Sequence, residues 1–225
     1  MAKPVRALSL GVVAVVLVAW VASHRFTSTP SGDVSAQTMV AQAQGPATPT
    51  VERTPDVVFV PTPQPVVDRM LELAQVHKGD IVYDLGCGDG RIVVTAAKKF
   101  GVRAYGFDID PKRVAESKEN VRKNNVEHLV TIEQADIFTL DLSPASVVTL
   151  YLLPQLNVRL IPQLEKLHPG SRVVSHDFDM EGVTAVKVEA INPPVTDREH
   201  KIYLWHTPIR PSAASTTQPG ARQQQ

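Results

Sequence analysis

Val82-Tyr83-Asp84-Leu85-Gly86-Cys87-Gly88-Asp89-Gly90 is an apolar, β-type run that ends in an acid and opens onto three alternate glycines. A helical pattern begins at once, at Arg91. Strand, glycine turn and helix in this order make the unit from which doubly wound α/β sheets are built. With no Cβ in the way, a ligand can approach the turn closely. The N–H groups at the helix start are placed to hold an anionic group.

The spacing narrows the ligand. Dinucleotide-binding turns carry G-x-G-x-x-G; here the pattern is G-x-G-x-G, with Asp84 two residues before the first glycine. An acid there repels a pyrophosphate but suits an amino-acid moiety with its own ammonium group. S-adenosylmethionine (SAM) carries such a moiety, and D-L-G-C-G-D-G resembles the first motif of the class I SAM-dependent methyltransferases. The resemblance implies that Asp84, Gly86, Cys87, Gly88 and Gly90 bind the cofactor.

Downstream, strands and helices alternate. The expected elements are a helix over 65–75, a strand over 81–85, a helix over 91–100 closed by Gly101, and a strand over 103–107 ending in Asp108. A charged helix over 111–124 and strands over 129–133 and 147–153 follow. Then come a helix over 155–167 interrupted at Pro162, a strand over 172–178, and two closing strands over 186–191 and 201–206. This is an α/β, Rossmann-like, doubly wound and mostly parallel seven-stranded sheet with a terminal antiparallel strand. Asp108, at the end of the second strand, is placed to accept hydrogen bonds from both ribose hydroxyls of a nucleoside; helix N-capping is its alternative role, which Asp110 fills equally well. By the resemblance, Asp136 meets the adenine amino group and Ile137 or Phe138 packs on the ring.

Upstream, Lys3 and Arg6 precede an uninterrupted apolar and small-residue run over 7–22. Its sixteen residues fall just short of the roughly 17–25 that span a bilayer. Residues 1–25 therefore read as a membrane anchor, or as a signal peptide cleaved on export. Residues 26–55, rich in Thr, Ser, Pro, Gln and Ala, read as a disordered linker. The catalytic domain is expected over 56–207 and a disordered polar tail over 208–225. Formal net charge is zero, which gives no basic footprint for nucleic acid. The single cysteine, Cys87, excludes an intrachain disulfide and a cysteine-based zinc cluster. The histidines are scattered along the chain, and no metal is expected.

Phe59-Val60-Pro61-Thr62-Pro63, D-L-G-C-G-D-G-R-I, Tyr151-Leu152-Leu153 and Arg172-Val173-Val174-Ser175-His176 together resemble one methyltransferase subgroup. It comprises the archaeal broad-specificity protein-lysine methyltransferases and their membrane-anchored mitochondrial relatives. The resemblance spans about residues 56–206. It implies a protein substrate with an exposed lysine. Tyr151 and His176, at the ends of the fourth and fifth strands, are the catalytic candidates: Tyr151 to orient the amine, His176 to accept a proton, with Asp177 to orient His176. Two features depart from the pattern. The link from Phe178 to Val186 is too short for the usual helix, and Tyr151-Leu152-Leu153-Pro154 is not the Asn-Pro-Pro-Tyr type of motif. A small-molecule methyltransferase and a non-catalytic, membrane-tethered SAM-binding module are the competing functions. A dehydrogenase is disfavoured by the glycine spacing.

Overall fold

The computed structural model describes residues 58–212. In chain order the elements are α1 (Gln64–Leu73), β1 (Ile81–Leu85), α2 (Arg91–Phe100), β2 (Arg103–Asp108), α3 (Pro111–Lys123), β3 (Val130–Gln134), β4 (Val147–Leu150), α4 (Pro154–Leu164), β5 (Arg172–His176), β6 (Lys187–Ile191) and β7 (His200–His206). The seven described strands form one sheet in the order β3-β2-β1-β4-β5-β7-β6. The first five pair in parallel, and β7 runs antiparallel between β5 and β6. Strand order reverses direction between β1 and β4, which opens a crevice at the carboxyl ends of these strands.

Alternation along each strand divides the core in two. Val82, Ala104, Val130, Ile132, Val147, Val174, Ile202 and Leu204 pack under α1, α2 and α3. Tyr83, Leu85, Phe107, Val148, Leu150, Val173 and Trp205 pack on the other face against Leu160 and Leu164 of α4. The β1–α2 unit lies where the sequence places it. β1 ends at a glycine turn, and α2 ends at Gly101, left-handed at φ 65°, whose N–H reaches Ala97 O.

Three expectations need correction. β4 stops at Leu150 and β5 at His176, short of the expected 153 and 178; Leu150 pairs with Ser175 at the end of that ladder, and Asp177 turns the chain away at φ 59°. Pro162 neither kinks α4 into two segments nor begins a new one, since the helix runs through it to Leu164. Finally, the chain stays packed beyond the expected domain end at 207: the Ser212 N–H donates to Gly182 O (2.8 Å) and the Thr184 N–H to Arg210 O (3.1 Å). The short link after β5 holds no helix; buried Asn157 of α4 anchors it by donating to Asp179 O at 2.9 Å.

Among the described residues no helix is long and apolar enough to cross a membrane. The apolar run over 7–22 and the linker over 26–55 lie outside the described residues, as does most of the expected tail.

Candidate active site

A cavity of about 610 Å³ opens at the carboxyl ends of β1, β2 and β4. Asp84, Gly86, Cys87, Asp108, Asp136, Ile137 and Tyr151 all line it. Residues 58–62, immediately before α1, form one wall. This strap is tied down: Arg91 Nη1 donates to Thr62 O at 2.8 Å, and the Arg113 guanidinium sits 4.7 Å from the Phe59 ring centroid.

The glycine turn does not do what its sequence suggests. The Gly86 and Cys87 amides both donate to Phe107 O (2.8 and 2.9 Å), and the Gly90 amide to Cys87 O (2.8 Å). The Gly88 amide donates to Asp108 Oδ2 (2.9 Å), and the Arg91 amide is taken by Asp89 Oδ1 (3.2 Å). These donors are engaged, and a carboxylate already occupies the start of α2, so the loop is not an anion cradle. Gly88 and Gly90 do not line the cavity. Gly88, at φ 56°, lies under Phe59, where a Cβ would come within 2.0 Å of the ring. These glycines shape the turn, while Gly86 and Cys87 face the cavity.

Asp84 is the unusual group. It is 2% exposed; Thr149 Oγ1 donates to its Oδ1 at 2.7 Å, while Oδ2 is buried with no hydrogen-bond partner. Burial pushes its pKa up to about 7; the Thr149 bond opposes this and the Asp108 and Asp89 carboxylates add to it. A buried oxygen without a partner costs free energy unless a ligand supplies one. A ligand ammonium would do so, and this fits the amino-acid end of SAM. Asp108 accepts from Gly88 N and from Asp110 N (2.9 Å each). Each of its oxygens retains a lone pair for a ribose hydroxyl, and burial raises its pKa. Asp110, not Asp108, caps α3. Asp136 accepts from the Phe138 amide at 3.0 Å. Its loop is pinned to α4 by Gln163, which donates to Ile137 O and Leu140 O at 3.1 and 2.8 Å.

Tyr151 leaves the end of β4 half-buried, with its ring 4.0 Å from His176 and 5.8 Å from Phe178. His176 lies behind it, fully buried and outside the cavity wall. Burial depresses its pKa to about 4, against the pull of the Asp177 carboxylate. Its Nε2 is 2.8 Å from His200 Nδ1 and its Nδ1 is 3.2 Å from Thr62 Oγ1. The histidines are thus scattered in sequence but not in space: ligand-type atoms of His176, Asp177 and His200 lie within 4.8 Å of one another. Sequence spacing carries no signal for His200. Thr62 stands out in the sequence only as part of the V-P-T-P motif.

The family model for the ANTKMT methyltransferase domain matches residues 84–187. The chain is 48% identical over 156 residues to a protein-lysine N-methyltransferase of Saccharolobus islandicus, covering 67% of this chain and 94% of that one. It is 31% identical over 121 residues to an ATP synthase lysine N-methyltransferase of Homo sapiens, covering 53% of this chain and 51% of that protein. Among solved structures, an RNA methyltransferase from Salinibacter ruber in complex with S-adenosyl-L-homocysteine is 48% identical with a TM-score of 0.60, covering 65% of this chain and 93% of that one. With the sheet order, the orphaned carboxylate of Asp84 and the placement of Asp108 pointing the same way, the chain belongs to the class I SAM-dependent methyltransferases, in the family of the archaeal protein-lysine N-methyltransferase.

Proposed function

We propose that this protein transfers methyl groups from SAM to lysine side chains of a protein substrate, and that residues 7–22 attach it to a membrane. The observation that carries the acceptor reading is the charge of the cavity. Five carboxylates line it (Asp84, Asp89, Asp108, Asp110, Asp136) against three basic groups (Arg91, Lys112, Arg113). Such a wall favours a cationic lysine and opposes the phosphates of an RNA, which need a basic surface. The 48% identity to a protein-lysine N-methyltransferase supports the same acceptor.

When bound, SAM supplies an electrophilic methyl group on a sulfonium. The residues of this chain then have distinct tasks. Asp84 pairs with the ammonium, Asp108 accepts the ribose hydroxyls, and Asp136 with Ile137 holds the adenine. Tyr151 orients the acceptor amine beside apolar Leu152 and Leu156, which line the same cavity. A free lysine has a pKa of about 10.4, and desolvation against these side chains favours the neutral, nucleophilic amine. Proximity and alignment supply most of the acceleration.

Methyl-labelled SAM incubated with the protein and a cell lysate tests the acceptor. Label will enter the protein fraction, and prior conversion of lysines to dimethyl-lysine will abolish most of it. Label that survives lysine blocking moves the acceptor to another side chain. Label that ribonuclease releases, or that stays in small metabolites, overturns the reading. Membrane attachment is tested by fractionation: the full chain will sediment with membranes, and a variant lacking residues 1–50 will stay in the supernatant and still bind SAM. A mature N-terminus beginning after residue 22 would show export after cleavage instead.

A further inference from the structure

From the cavity to the β6–β7 loop runs an unbroken line of hydrogen-bonding groups. Thr62, a cavity wall residue, has its Oγ1 3.2 Å from His176 Nδ1. His176 Nε2 is 2.8 Å from His200 Nδ1, and His200 Nε2 is 3.0 Å from Thr196 Oγ1. Thr196 Oγ1 in turn donates to Arg198 O at 3.2 Å. The inner members are closed to solvent, with Thr62 4%, His176 0% and His200 2% exposed. Thr196, in the loop, is only partly covered.

A neutral imidazole has one N–H and one bare nitrogen. Two neutral imidazoles joined through one hydrogen bond therefore leave the line only two proton orders. In the outward order the Thr62 hydroxyl donates to His176 Nδ1, His176 Nε2–H to His200 Nδ1, and His200 Nε2–H to Thr196. Thr62 then turns its lone pairs towards the cavity. Charge at the midpoint is matched, since Asp177 Oδ2 lies 3.2 Å from His176 Nε2 and 3.6 Å from His200 Nδ1. Arg198 Nη2 holds that carboxylate at 2.5 Å, and Lys201 N donates to its other oxygen at 3.0 Å. Tyr151 stacks on the inner imidazole, and Arg91 fixes the strap through the Thr62 carbonyl.

We propose that Thr62, His176, His200 and Thr196 form a proton wire that carries the ammonium proton of the acceptor lysine from the cavity to the surface. This rests on the lysine reading above. The ammonium loses one proton to Thr62 Oγ1 as the Thr62 proton passes to His176 Nδ1. The His176 Nε2 proton passes to His200 Nδ1, the His200 Nε2 proton to Thr196, and the Thr196 proton to water. One proton crosses, each imidazole changes tautomer, and no electrons are gained or lost. His176 and His200 act through Thr62 and are positioning and relay groups.

Two measurements on the full-length protein in detergent test this. Long-range ¹⁵N NMR of the histidines at pH 7 reads the tautomers without cofactor. The wire requires both imidazoles neutral and alike: N–H at Nε2 in both, or at Nδ1 in both. A metal held by His176 Nε2, His200 Nδ1 and Asp177 would instead put N–H at Nδ1 of His176 and Nε2 of His200. That pattern, or a charged imidazole, overturns the proposal. The second measurement is single-turnover methylation by Thr196→Val, which cuts the outer end without touching the cavity. The rate will fall about tenfold at pH 7, and the deficit will close towards pH 10, where lysine arrives as the free amine. SAM affinity will be unchanged. No loss, or a loss equal at all pH values, overturns the wire. Label absent from lysine refutes the acceptor reading instead, and leaves the tautomer result to be read on its own.

Discussion

Asp84→Asn will reduce SAM affinity roughly a hundredfold or more while leaving the fold intact. Removing one partner of a buried charge pair costs about 3–5 kcal/mol, and each 1.4 kcal/mol is about tenfold in affinity. The carboxylate concerned is 2% exposed and one of its oxygens has no partner, so a ligand ammonium gains its full attraction there. The pH dependence has a definite sign. With the pKa of Asp84 raised to about 7, the empty protein holds a proton that the ammonium must displace. Affinity will therefore fall about tenfold per pH unit below 7. It will also decline above about pH 8, as an α-amino group itself loses its charge. Asparagine removes the acid limb of this profile. A carboxyl whose folded pKa exceeds its unfolded one favours the fold at low pH and loses that contribution as pH rises through the folded value. The asparagine variant will thus melt above the parent at pH 8 in the absence of cofactor. Calorimetric titration at pH 6, 7 and 8 decides the matter; parental affinity in the variant would remove Asp84 from the site.

At the opposite end of the sheet, Asp80→Ala will lower stability by about 3–5 kcal/mol, or roughly 6–20 °C in Tm. Ser146 Oγ donates to Asp80 Oδ1 at 2.7 Å, and the His77 amide and Arg172 Nη2 reach Oδ2 at 2.9 and 2.5 Å. Arg172 also donates to Ala74 O at 3.0 Å. One carboxylate thus joins the end of α1 to the starts of β1, β4 and β5. Burial raises its pKa, but the Ser146, His77 and Arg172 bonds together outweigh burial and hold it below the ordinary value. A depressed carboxyl stabilises above its unfolded pKa and stops doing so as pH falls through the folded one. The gap between parent and variant will be full at pH 7 and will close below about pH 4. Thermal scans across that range test it, and a shift under about 2 °C at pH 7 would show the cluster to be dispensable.

The sequence was most legible where a local rule acted alone. β1 and α2 needed only an apolar run, a glycine turn and Gly101, whose left-handed backbone ends the helix without any distant contact. Tyr151-Leu152-Leu153 misled because apolar residues declare burial and not ladder pairing; β4 ends where β5 ends, and β5 ends because Asp177 adopts a positive φ. Asp84 and Asp108 were legible because strand ends place them. The engaged amides of the glycine turn were not, since Phe107 O belongs to the next strand. His200 was the least legible of all. Its approach to His176 exists only because β7 returns antiparallel beside β5, with His176 opposite Ile202.

Cys87, at the mouth of the glycine turn, is 5% exposed, and burial raises its thiol pKa well above the ordinary value, with Asp84 adding to the rise. Nucleophilic attack by sulfur requires the thiolate, so this thiol stays inert at neutral pH. The chain has no other cysteine. A cysteine introduced on the surface would accordingly be the sole target for a maleimide dye, and fluorescence could follow the strap over 58–62 without first stripping the native sulfur from the cofactor wall.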